Sequence, residues 1–155
     1  IKATATALMN YAANNGGKYP FHTNGWGDAL LLLVKSNYAD ISLICGPNDD
    51  GRVFREALEN GTDVSEELCS RVYVQGLSEE NAAGVLVLFD RKSFPGGDHF
   101  CGLREPLREC LDGNLSMTLL DDKLWPRFSR ESVERLVELG FSREEAEAYF
   151  PEAAK

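Results

Sequence analysis

Apolar positions in the opening residues recur at three- and four-residue steps. Ile1, Ala5, Leu8, Tyr11 and Ala12 therefore share one face of a helix predicted over about residues 1–15. Ala3, Ala7 and Ala13 add helix propensity and keep the remaining surface slim. Asn14-Asn15-Gly16-Gly17 ends the segment, since Asn and Gly tolerate the left-handed conformation that closes a helix. Lys18-Tyr19-Pro20 then leaves in an extended form, because the residue before proline avoids the helical region. No capping residue precedes Ile1, and the helix is expected to continue upstream of it.

The pattern then changes element by element. Phe21 to Asp28 reads as a loop with Trp26 as an anchor on the core, and Asp28 as the cap of a helix over 29–37. That helix carries Leu30 to Val34, is apolar nearly all round, and should be buried. Ile41 to Cys45 reads as a short strand and Arg52 to Leu58 as a short helix. Arg71 to Gln75 alternates and predicts a strand. Val85 to Asp90 is a continuous apolar run, which predicts a central strand covered on both faces. A turn of helix is expected within 102–111. Asp112-Gly113 then turns into a strand over 115–120, with Leu115, Met117 and Leu119 on one face. Ser129 to Leu139 predicts a helix closed by Gly140. Ser142 with Glu145 forms a capping box for a last helix that stops at Pro151. The sum is an α+β chain: a globular part over 1–128 and a two-helix extension over 129–155.

Composition narrows the partners. The chain of 155 residues is 43% hydrophobic and 26% charged, as one soluble globular domain would be. Its net charge of -9, from 25 acidic against 16 basic residues, leaves no basic surplus to displace counterions, so a nucleic-acid partner is not expected. Leu30 to Val34 is the longest pure apolar block, far short of the roughly 18 residues of a membrane span.

Four cysteines, Cys45, Cys69, Cys101 and Cys110, form no Cys-x-x-Cys pair, and only two histidines accompany them, which argues against structural zinc. Even, wide spacing suits two disulfides in an oxidising compartment; four buried thiols are the alternative. Of three possible pairings, Cys45 with Cys69 and Cys101 with Cys110 are expected as neighbours in sequence.

Candidate chemistry is sparse. Asn48, Asp49 and Asp50 lack the terminal Glu of a calcium loop and read as an Asx turn. Asp121 and Asp122 follow a strand and are weak calcium candidates, outweighed by a solvated turn. His22 and His99 lie in Gly-rich loops without a nucleophile elbow or phosphate-binding loop nearby. Asp98 with His99 beside Gly96-Gly97 is the most site-like cluster, and a plain turn outweighs catalysis there. No cofactor is expected from these residues, and none of them compels an enzyme.

The order of pieces resembles that of type IV pilins and type II secretion pseudopilins. The carriers are the Ala-rich helix ending Tyr11-Ala12-Ala13-Asn14-Asn15-Gly16-Gly17-Lys18-Tyr19-Pro20, then Ile44-Cys45-Gly46-Pro47, the strands at 71–75 and 85–90, the Gly-Gly-x-His loop at 96–99, and Asp112-Gly113. The match spans about Ile1 to Leu120. Gly46 splits Cys45 from Pro47, Cys101 and Cys110 lengthen the gap before Asp112, and the segment from Ser129 is not part of the pilin pattern. The resemblance implies a helix laid on an antiparallel sheet and an upstream apolar half-helix in the inner membrane. It also implies assembly with other pilin-like subunits through the Ile1, Ala5, Leu8, Tyr11, Ala12 face, in the cell envelope on its periplasmic or extracellular side. Two rivals remain. Val133 to Ala146, with Gly140-Phe141, is similar to the first two helices of a ubiquitin-associated domain. The other is a secreted hydrolase using His99.

Overall fold

The computed structural model describes residues 1–94 and 106–153. Six helices and four strands are present among the described residues: α1 Lys2–Asn14, α2 Trp26–Lys35, α3 Ile41–Ile44, α4 Arg52–Asn60, β1 Arg71–Tyr73, β2 Leu86–Asp90, β3 Leu107–Asp112, β4 Met117–Asp121, α5 Trp125–Glu138 and α6 Arg143–Tyr149. The strands form one antiparallel sheet in sequence order, β1-β2-β3-β4, so the α+β class holds.

β2 is the centre of the sheet. All five of its residues are buried, which is what its unbroken apolar run requires. Phe89 pairs with Val72 on one side and Cys110 on the other, and a bulge separates the pairings of Leu86 and Leu88. Strand alternation sends Phe89 to one face and Leu88 and Asp90 to the opposite face. On the Phe89 face lie Trp125 and Phe150, with ring centroids 5.1 Å and 4.8 Å from it. On the other face Arg71 reaches the backbone oxygen of Leu43, just inside α3. The C-terminal helices and α3 thus lie on opposite faces of one sheet.

The C-terminal helices are part of this core rather than an appendage. Val133, Leu136, Ala146 and Phe150 belong to the same buried cluster as Leu8, Leu30 and Leu88. Ser132, fully enclosed in α5, accepts a 3.0 Å hydrogen bond from the Leu86 amide. The expected capping box of α6 is formed, with Ser142 Oγ accepting from Glu145 N at 3.1 Å and Glu145 Oε2 from Ser142 N at 2.8 Å.

Several boundaries differ from the sequence reading. α2 begins at Trp26, so Asp28 is not its cap. Asp28 is buried within the first turn and accepts from the Val64 amide at 3.1 Å. The expected strand over 41–45 is the one-turn helix α3; so short an apolar run has no periodicity to separate the two. Where a helical turn was expected within 102–111, residues 107–112 form β3, held on both sides by β2 and β4. α5 starts at Trp125, four residues before Ser129, with Pro126 in its first turn, where a missing amide donor costs nothing. In β4, Met117 and Leu119 are exposed at 39% and 47% while Leu120 is buried, so the predicted face points outward.

Candidate functional site

α1 is the element the sequence singled out, and its anchoring is specific. Thr4, Ala5, Ala7, Leu8 and Ala12 are buried, with Ile1 and Tyr11 half-buried beside them. The stripe expected to meet other subunits is therefore occupied by the chain's own body, chiefly α2 and α3. Thr4 Oγ1 donates to Leu43 O, and Tyr11 meets Tyr38 edge-on at 5.4 Å. The end of α1 closes as expected: Gly16 and Gly17 take φ of 63° and 76°, and Gly17 N donates to Ala12 O at 2.9 Å.

The Tyr-Pro step is sewn to the sheet. Tyr19 N donates to Leu77 O at 3.1 Å, and the fully buried Tyr73 hydroxyl donates to Pro20 O at 2.9 Å. His22 N donates to Gln75 Oε1 at 3.1 Å, and its ring Nδ1 accepts from Asn24 N at 3.2 Å. His22 thus holds a loop together.

The face of α1 left open is Lys2, Ala3, Thr6, Met9, Asn10, Ala13 and Asn14. It carries one charge, on Lys2, and exposes Met9 at 53%. The exteriors of the other amphipathic helices are different. α4, α5 and α6 are laced with ion pairs such as Arg52–Glu56, Arg127–Glu131 and Arg143–Glu134, at 2.6, 2.8 and 2.9 Å.

Sequence reasoning missed the buried charges on the α3 side of the sheet. Asp90, with no exposed surface, accepts from Arg71 Nε at 3.0 Å and from the Glu109 amide at 2.8 Å. Arg71 also donates to Glu109 Oε2 at 3.0 Å. Burial pushes the Asp90 carboxyl above its usual range, and the Arg71 guanidinium pulls it partly back. The one sequence signal was an acidic residue closing an apolar strand.

The remaining candidates separate. Cys45, Cys69 and Cys110 are buried free thiols, so the expected Cys45–Cys69 disulfide is not formed. Burial raises each thiol to about 12. Cys101, Asp98 and His99 lie outside the described residues, and with them the expected Cys101–Cys110 pair and the Gly-Gly-x-His loop.

Asp121 Oδ1 accepts from the amides of Lys123 and Leu124 at 2.9 and 2.8 Å, capping the turn into α5. Asp122 instead turns to Ser93 Oγ at 3.1 Å and towards Arg108. The two calcium candidates thus make separate turn and ion-pair contacts, and no group of three or more potential metal ligands occurs among the described residues. Asp49 and Asp50 accept from the amides of Gly51 and Arg52 at 2.8 and 3.0 Å, as an Asx turn does. Phe141, the aromatic of the ubiquitin-associated-like loop, packs over Gly76, where an added Cβ would sit 3.3 Å from its ring. Among the described residues no helix is long and apolar enough to cross a membrane.

No family model, characterised protein or solved structure matches this chain.

Proposed function

We propose that this chain is the head of a pilin-like structural subunit that assembles in the cell envelope through the outward face of α1, and that its role is assembly rather than catalysis. The observation that carries the reading is the outer face of α1: slim, nearly uncharged and exposing Met9, on a helix whose inner face is locked to the body. Charged residues are depleted from the centres of protein interfaces, and Met is enriched there. A helix meant only for solvent would carry the ion pairs that α4, α5 and α6 carry. Whereas the strand expected at 41–45 is the helix α3, two of the landmarks, the Asn-Gly-Gly break and the antiparallel strands at 71–73 and 86–90, support the same reading. In it, residues encoded upstream of Ile1 form an apolar half-helix in the inner membrane, and the partners are other pilin-like subunits.

The test is cysteine crosslinking in the native host. Ala3→Cys or Met9→Cys, in a full-length chain, is expected to give a ladder of disulfide-linked multimers in the envelope fraction. Ala3→Glu with Met9→Glu should abolish assembly while shifting stability by no more than about 0.5 kcal/mol for each exposed substitution. A monomer in the cytosol, or a polar reading frame upstream of Ile1, overturns the proposal.

A further inference from the structure

Both tryptophans of the chain, Trp26 and Trp125, line one cleft of about 310 Å³ on the Phe89 face of the sheet. That is the lower end of the size of small-molecule sites. Phe89 and Val72 supply apolar lining, and Tyr149 and Glu152 close the side formed by the end of α6 and the turn after it. Two guanidiniums, of Arg91 and Arg108, enter this mixed aromatic and polar cleft in a chain whose net charge is -9.

Arg108 projects from β3 with 7% of its surface exposed, and its guanidinium lies 4.4 Å from the centre of the Trp125 ring. Its Nη1 donates to Arg91 O at 2.7 Å. The remaining donors are poorly served. Asp122 Oδ1 stands 3.6 Å from Nε and Glu152 Oε2 stands 3.5 Å from Nη2, close enough to attract but not to bond well. Arg108 Nε and the buried Trp125 Nε1 have no hydrogen-bond partner among the described residues. Buried donors left in this way keep an uncompensated desolvation penalty that a fitting acceptor would remove. Arg91 is fixed by its bonds to Cys69 O and Glu66 O at 3.0 and 2.8 Å, with its guanidinium 6.0 Å from the Trp26 ring. On the opposite wall Glu66 is tied to the Gly27 amide at 3.0 Å, and Glu67 lies beside it.

We infer that this cleft binds a small carboxylate carried on a flat apolar body. The carboxylate replaces Glu152 at Arg108, and the body lies against the indole rings. A guanidinium fork matches a carboxylate with two parallel bonds, which a stand-off at 3.5 Å does not use. Glu152 is exposed at 51% on the turn after α6, so it acts as a displaceable internal competitor. This inference is independent of the assembly reading, because no residue of α1 lines the cleft.

The probe is 2-naphthoate, with 2-naphthalenemethanol as its neutral counterpart, read on the two indole N–H signals in nitrogen-15 NMR spectra and by calorimetry. Naphthoate is expected to shift both indole signals, and the alcohol to bind at least about tenfold more weakly, since a single charge-assisted hydrogen bond is worth about 1.5–3 kcal/mol. Arg108→Gln should lose the preference for the anion, and Glu152→Gln should tighten naphthoate several-fold. Glu152 is exposed, so its variant carries the test if Arg108→Gln does not fold. Unshifted indole signals at millimolar naphthoate in both wild type and Glu152→Gln overturn the inference. Equal binding of acid and alcohol, or weaker binding by Glu152→Gln, overturns it as well.

Discussion

Phe150→Ala tests whether the C-terminal helices hold the fold together. Phe150 has no exposed surface, stacks on Phe89 with centroids 4.8 Å apart and planes at 22°, and lies 6.2 Å from Trp125. Burying such a side chain is worth about 1.5–3 kcal/mol. A well-placed aromatic pair adds about 1 kcal/mol. The cavity left between the sheet and α5 brings the total to about 4 kcal/mol, within the range of Phe→Ala changes in cores. For a chain of 155 residues, that lowers Tm by about 8–16 °C. Phe150→Leu, which keeps most of the apolar volume, should cost less than half as much. The assay is urea unfolding in a Trp26→Phe background, where fluorescence reports Trp125 at the start of α5 and far-ultraviolet circular dichroism reports the whole chain. The two probes should give one coincident transition in both wild type and variant. A loss below about 1 kcal/mol for Phe150→Ala, or a fluorescence transition that precedes the other, would refute the claim that residues 125–150 share the core.

Two further outcomes follow from the buried charges and thiols. Burial raises the Asp90 carboxyl against the pull of Arg71, so the folded chain holds this proton to higher pH than the unfolded chain does. Asp90's contribution to stability is therefore greatest below its unfolded pKa and declines as pH rises through its folded one. A carbon-13 titration should place its midpoint above 3.8, the ordinary aspartate value, and Arg71→Met should move it further up; a midpoint at or below that value contradicts the burial argument. In a Cys101→Ser background, Cys45, Cys69 and Cys110, each raised to about 12, should react with a thiol reagent at neutral pH only at the rate of unfolding. Rapid reaction of any one of them in the folded state would show that it is neither buried nor protonated.

The parts of the fold legible in the sequence are those where one physical signal dominates. The stop of α1 was readable because consecutive residues Asn14 to Gly17 allow left-handed backbone, and β2 because six residues from Val85 to Asp90 offer only one polar group. The capping box at Ser142 is a local bond that needs no tertiary context. What could not be read depended on partners far along the chain. Asp28 looks like a helix cap, but it lies inside the helix because the Val64 amide, 36 residues later, needs an acceptor. β3 carries Arg108, Glu109 and Cys110, a poor strand pattern, and is a strand because it lies between two others. Gly113 was read as a turn residue. It is required for a different reason: a Cβ there would come within 1.8 Å of Ala82 O. Arg108 gave no signal at all, since a lone arginine near a cysteine does not reveal that Trp125 will lie 4.4 Å away.

The alternation of β2 joins these observations into one argument about function. Phe89 faces the C-terminal helices and the cleft, whereas Asp90, its neighbour in the chain, faces Arg71 and the α3 side. A sheet strand sends successive side chains to opposite faces, so the outward face of α1, which we propose meets other copies, and the cleft under Trp125 share no lining residue and lie on opposite sides of β2. Sites so separated, sharing no side chain, perturb one another by only about 0.3–0.5 kcal/mol. Loss of assembly by Met9→Glu should therefore leave naphthoate binding unchanged, and loss of binding by Arg108→Gln should leave assembly unchanged. If either substitution abolished both, a rearrangement would have to pass along α2, which runs from Trp26 in the cleft wall to its contacts with α1, or through the Arg71, Asp90 and Glu109 charges of the sheet.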